Sequence, residues 1–148
     1  GLKFQTEVYD TMQPIFTDKA PRPAGHYSQA ICHGGIVYTA GQLPVVPDTG
    51  EKCLGTVEQQ TEQVLRNLAA VLEAGGSDPA HVLRVTVYVS DISLWDRVNR
   101  VYGEFFGDHR PARTVVPTRD LHHGFLVEID AVAAVVSKEE RPCTPDQE

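Results

Sequence analysis

The sequence predicts an α+β sandwich, a single sheet that carries two helices on one face. Three observations predict it. The chain has 148 residues, the size of one ordinary domain, with enough interior to fold without staples. Two segments repeat apolar residues at three- and four-residue spacing, the period of an amphipathic helix. The segments around them alternate apolar with polar, the period of a half-buried strand. In chain order the reading is β-β-α-β-α-β-β, which gathers into two packed layers.

Residues 1–19 read as an N-terminal arm with a short strand around Lys3 to Tyr9, because Pro14, Pro21, Pro23 and Gly25 break any longer period. Ser28 to His33 and Ile36 to Ala40 form a hairpin, since Gly34-Gly35 between them supplies positive φ for a two-residue turn. Gly41 to Gly55 is a loop marked by Pro44, Pro47 and Asp48-Thr49-Gly50. Thr56, with Gln59 three residues on, opens a helix as a capping box. Val57, Thr61, Val64, Leu65, Leu68, Val71 and Leu72 make its apolar face, and Gly75-Gly76 ends it. Asp78-Pro79 starts a short helical turn.

Val82 to Ser90 alternates, with Leu83, Val85, Val87 and Val89 on one face and Arg84, Thr86, Tyr88 and Ser90 on the other. Ser93 with Asp96 marks a second helix start. Trp95, Val98, Tyr102, Phe105 and Phe106 form its buried face, and Gly107 closes it. Arg113 to Val116 is a short strand and Leu126 to Val136 a long one. The tail over 138–148 is expected to fray. Tyr88, Thr86, Arg84, Leu126, Val132, Ala134 and Val136 fall opposite the helix-packing faces. They are too apolar for an ordinary wet surface, so a closed oligomer that buries them is expected.

Composition excludes several classes. Thirteen Lys and Arg against 20 Asp and Glu give a charge of −7, which repels a phosphate backbone and counts against nucleic acid as the main partner. The longest apolar run, Ala131 to Val136, is far short of the ~20 residues that span a bilayer. Cys32, Cys53 and Cys143 are an odd number at no metal-like spacing. With no visible secretory signal, they suggest free thiols in a reducing, cytoplasmic setting.

Two charged residues could carry chemistry. Arg113 opens a strand beside a loop, and a guanidinium fork grips a carboxylate through two parallel bonds. Without further context a surface ion pair is the commoner role. Glu128 sits in a strand dominated by Val, Ile and Ala, where a carboxyl can have a raised pKa and act as general acid or base. Asp130, on the same face, is expected to point to solvent. His122-His123 beside Gly124 reads as a solvated hairpin tip. His26, His33, His81 and His109 show no ligand spacing, so no metal is assigned. Gly34-Gly35 is too sparse for a phosphate cradle.

A longer series of residues resembles the RidA/YjgF family of reactive intermediate deaminases. It comprises Ala20-Pro21, Gly25-His26-Tyr27-Ser28-Gln29-Ala30, Thr39-Ala40-Gly41-Gln42-Leu43-Pro44, the first helix over Thr61 to Ala74, and Val85 to Asp91. Val98 to Phe106, Pro111-Ala112-Arg113-Thr114 and Leu126-Val127-Glu128-Ile129-Asp130-Ala131 complete it, so the likeness spans about residues 20–137. The resemblance implies a chorismate-mutase-like homotrimer with its sites in intersubunit clefts. It implies hydrolysis of enamines and imines such as 2-aminoacrylate, or of 2-iminobutanoate and 2-iminopropanoate, to a 2-keto acid and ammonia without a cofactor. Arg113 would bind the substrate carboxylate and Glu128 would position or activate water. Tyr27 and Asn99 would line and support the cleft, and backbone groups at Gly41 and Val115 would meet the substrate.

The sequence departs from the family pattern at four positions. Val115 stands for Cys, Ala40 for Ser, His122 for Pro, and His26 for the commoner Pro. The lost thiol and hydroxyl make the cleft more apolar, which implies altered substrate selection and room for a bulkier imine. Two other readings compete with the deaminase. One is a non-catalytic module of the same fold that binds a small carboxylate. The other is RNA cleavage, the activity for which some family members are named.

Overall fold

The computed structural model describes residues 11–136. Six strands and two helices follow in order: β1 (Gln13–Ile15), β2 (Ala30–His33), β3 (Ile36–Thr39), α1 (Val57–Ala74), β4 (Val82–Val89), α2 (Trp95–Phe106), β5 (Ala112–Pro117) and β6 (Val127–Ala134). The sheet order is β1-β2-β3-β6-β4-β5. The β4–β5 pair is parallel and the rest are antiparallel. This is the predicted mixed sheet with two helices.

Local chemistry explains the elements. Gly34 and Gly35 have φ of 60° and 78°, the mirror-image turn that matches the twist of the β2–β3 hairpin. The Thr56 hydroxyl accepts from Gln59 N–H at 3.2 Å, and the Gln59 side chain accepts from Thr56 N–H at 3.0 Å. That capping box starts α1, whose predicted apolar residues are all buried. They meet Val85, Val87, Val89, Val127, Ile129 and Ala131 from the sheet in one core.

The structure departs from the expectations at several points. Gln13–Ile15 joins the sheet beside β2, although Pro14 discourages a strand reading. Proline is tolerated there because β1 is an edge strand. The strand expected around Lys3 to Tyr9 lies outside the described residues, as do the 138–148 tail and Cys143. Cys32 and Cys53 are free thiols. In β4 the register shifts between Val82 and Arg84. Val82 therefore takes the core position, and Leu83 is left 48% exposed, as a bulge requires.

Asp91, rather than Ser93, caps the second helical segment. Its carboxylate accepts from Ser93 N–H at 2.8 Å and opens a 3₁₀ turn over Ile92–Leu94 that feeds α2. Val136 is buried, its N–H donating to Gly76 O at 2.9 Å, and Leu126 packs on the core. Both leave the open sheet face assigned to them. His122–Gly124 is a 3₁₀ turn between strands that are not neighbours, because β4 lies between β5 and β6. It is therefore no hairpin tip. Among the described residues no helix is long and apolar enough to cross a membrane.

Candidate active site

Arg113 is held by one stripe of α2. Its Nη1 donates to Asn99 Oδ1 at 2.9 Å. The guanidinium carbon stands 4.5 Å from the Trp95 ring centre and 4.8 Å from that of Tyr102. Trp95, Asn99 and Tyr102 follow at steps of four and three, so they share a helix face. Two aromatic faces hold the cation by its attraction to their electron-rich surfaces. A guanidinium fork has further N–H donors beyond the one given to Asn99. Tyr102 is buried, and its hydroxyl has no hydrogen-bond partner among the described residues. Burial raises its pKa, opposed by the Arg113 charge.

Arg113 pairs with Val85 and Val115 with Val87, so both lie on the helix side of the sheet. Val115 turns its side chain against the core, which leaves its backbone as the part able to meet a ligand. Since β5 is the sheet's last strand, alternate backbone groups along its free edge point outward.

Glu128 lies on the other side. Burial alternates along β6: Val127 and Ile129 enter the core, while Glu128 and Asp130 take the open face opposite Tyr88 and Thr86. The Glu128 carboxylate rests against Gly41. A Cβ there would collide with Oε1 and stand 3.1 Å from Cδ, so the close approach requires glycine. Gln42 fixes this contact, because its N–H donates to Ile129 O at 2.8 Å and its O accepts from Ile129 N–H at 3.2 Å. Burial lifts the Glu128 carboxyl above its ordinary 4.5, the His122 charge opposes it, and the Asp130 charge adds to it.

Asp130 is half-buried rather than turned to solvent. Burial raises its pKa, and a Tyr88 hydrogen bond, the Arg84 charge and a Thr86 hydrogen bond pull it back. It belongs to a polar cluster on the open face.

Tyr27 is 52% exposed, and its hydroxyl accepts from Ala24 N–H at 3.2 Å. It lines a hollow of about 230 Å³ together with Gly41, Gln42 and His123. Tyr27, Gly41 and Glu128 thus form one group, while Arg113, Asn99 and Val115 form another. One chain leaves the two groups on opposite faces of its sheet. A larger hollow of about 490 Å³, between Asp18–Arg22 and Val45–Gly50, contains none of these residues.

Two sets of contributors escape the sequence reading. Trp95 and Tyr102 read as core because aromatic helix residues usually are; their shared step with Asn99 is the available signal. Gln60 and Asn67 lie outside the apolar stripe of α1 yet are buried. Asn67 Nδ2 donates to Leu43 O and Val45 O at 3.0 and 2.9 Å. Gln60 Oε1 accepts from Leu126 N–H at 2.9 Å. Through them α1 positions the segments next to Gly41 and Glu128. Among the described residues no group of three or more His, Cys, Asp or Glu is placed to hold a metal ion.

Comparison with known proteins agrees with this fold. The family model described as Endoribonuclease L-PSP matches residues 17–135. A RutC family protein of Pyrococcus horikoshii is 46% identical over 119 residues, 80% of this chain and 94% of the relative. The chloroplastic Reactive Intermediate Deaminase A of Arabidopsis thaliana is 36% identical over 121 residues, 82% of this chain and 65% of the relative. Among solved structures, the conserved Rid family protein YyfA of Yersinia pestis superposes with a TM-score of 0.82 at 40% identity, covering 84% of this chain and 100% of its own. TdcF of E. coli, solved with bound serine, superposes with a TM-score of 0.79 at 33% identity over 84% of this chain and 99% of its own.

Proposed function

This chain belongs to the RidA/YjgF family, whose model carries the description Endoribonuclease L-PSP, and from that premise we propose that it hydrolyses reactive imines and enamines to a 2-keto acid and ammonia. One observation carries the reading. The chain presents an aromatic-braced guanidinium with further donors, Arg113, and a half-buried carboxyl with a raised pKa, Glu128. The name of the Arabidopsis relative supports the reaction class. The serine bound to TdcF supports a small ligand with a carboxylate.

In the proposed reaction Arg113 takes the substrate carboxylate through charge-assisted bonds and so fixes the C=N carbon. Glu128 removes a proton from water as the water oxygen bonds to that carbon, and the imine nitrogen gains a proton. The product is a carbinolamine. Glu128 then passes its proton to nitrogen, and the C–N bond breaks with its electron pair leaving on ammonia. The freed Glu128 carboxylate takes the hydroxyl proton as the keto C=O forms and returns it to solvent, which balances the proton that the imine nitrogen took from solvent. One water enters, one ammonia leaves, and no electrons are exchanged with an outside partner. An enamine joins this path after a proton adds to its terminal carbon. A carboxyl whose pKa burial raises is a stronger base toward that water proton than a free glutamate.

Opposite sheet faces keep Arg113 and Glu128 apart within one chain. A cleft between copies, one copy giving Arg113 and the next giving Glu128 with Tyr27 and Gly41, brings them together. A closed homotrimer supplies such a cleft at each contact.

The test uses an amino-acid oxidase to generate imines, with semicarbazide trapping whatever the protein leaves. The native protein is expected to suppress semicarbazone formation, and Arg113→Ala to lose that effect by at least about a hundredfold. Saturable keto-acid binding without suppression would instead favour a non-catalytic binding module.

A further inference from the structure

The hollow beside Gly41 and Tyr27 has a charge that the proposed reaction does not use. Arg22, Lys52 and His123 line it, and no Asp or Glu does, although the chain carries seven more acidic than basic side chains. Arg22 and Lys52 have no ion pair among the described residues. Arg22 also borders the larger hollow, where Asp18 and Asp48 stand, but the smaller hollow offers an anion two cationic side chains and no competing carboxylate in its lining.

Both cations stand on fixed backbone. Pro21 and Pro23 flank Arg22 and restrict its φ neighbours. The buried Gln29 side chain holds the segment, donating to Pro21 O at 2.9 Å and to Thr17 O at 3.0 Å. Lys52 bridges to Val45, whose carbonyl is in turn held by Asn67. His123 has φ of 58°, a left-handed conformation that a side chain adopts at some cost and that tends to mark functional loops. Side chains on such supports lose less freedom when they bind than side chains on a loose surface.

The size of the hollow, about 230 Å³, is below the range of drug-sized pockets and suits a small metabolite. Gly41 and Tyr27 link it to Glu128. We propose that it receives the distal end of a dicarboxylic substrate, with Arg22 and Lys52 binding a second carboxylate while Arg113 of a neighbouring copy binds the first. This assignment rests on the deaminase reading for the reacting end of the substrate. The distal site stands or falls separately.

The experiment compares the full chain with the Arg22→Gln, Lys52→Gln double variant, both substitutions being at exposed positions. Two imines are generated by amino-acid oxidases, one from glutamate and one from 2-aminobutyrate. Calorimetry measures binding of the matching keto acids, 2-oxoglutarate and 2-oxobutyrate. The native protein is expected to favour the glutamate-derived imine in kcat/KM and 2-oxoglutarate in affinity. The double variant is expected to lose each preference by about tenfold or more. Equal handling of the two acids, or a preference that survives in the double variant, overturns the proposal. If no imine is hydrolysed but 2-oxoglutarate binds preferentially and the variant loses that binding, the distal site stands and the deaminase reading fails. Absence of both turnover and keto-acid binding overturns both.

Discussion

Glu128 combines a charge with a place in a strand that is otherwise apolar, and burial then raises its pKa above 4.5. The sign of the consequence is fixed by linkage. A carboxyl that holds its proton more tightly when folded stabilises the fold below its unfolded pKa and loses that contribution as pH rises through the folded value. The urea midpoint of the native protein is therefore expected to fall as pH climbs from 4.5 through that raised value. Glu128→Gln should show a shallower fall over the same range. It does not flatten completely, because Asp130 is raised in the same direction and remains. A decline of equal slope in the variant would show that Glu128 does not titrate as described. The same shift places the acid limb of kcat/KM above that of a free glutamate.

Single elements position several site residues at once. α2 braces Arg113 with Trp95, Asn99 and Tyr102. α1 holds the Gly41 side through Asn67 and the Glu128 side through Gln60. Asn67→Ala removes two hydrogen bonds to half-buried backbone carbonyls and a third accepted from Gln63 Nε2, and such a loss costs about 1–3 kcal/mol. Urea unfolding should report it, and imine hydrolysis should fall as the Gly41 segment loosens. Helix content by circular dichroism should stay native, since the Thr56 capping box and the apolar stripe are untouched. Both helices were legible in the sequence because their periods are local properties, as are the ends of α1; the start of α2 was displaced, because Asp91 caps a 3₁₀ turn that precedes it. Asn67 and Gln60 were not, because polar residues flanking an apolar stripe normally meet water. Leu83 was misplaced for a related reason: strict alternation cannot announce a bulge, which is set by pairing with β6.

At the scale of the whole molecule, the sheet divides the candidate site between its two faces. Arg113 faces α2, and Glu128 faces the open side with Tyr88, Thr86 and Asp130. If the site forms between copies, a mixture of Arg113→Ala and Glu128→Ala chains regains activity that neither variant has alone. Random exchange around a ring leaves about a quarter of the clefts with both native residues. Refolding the two variants together and assaying imine clearance checks this. Recovery well below that level would place both residues in a site within one chain.

The sequence by itself determined the order of the elements from β2 to β6, the cap of α1 and the β2–β3 turn, and the residue types able to hold a carboxylate and move a proton. Each depends on neighbours a few residues apart, and those interactions are written in the chain. Only the tertiary structure decided that Arg113 is clasped by two aromatic rings, that Gly41 yields its space to a carboxylate, and that Arg22 and Lys52 line one hollow. These facts join residues tens of positions apart, and their partners are set by strand register and helix packing rather than by local spacing. The sheet also separates Arg113 from Glu128, and reading the two residues off the chain could not reveal that they stand on opposite faces.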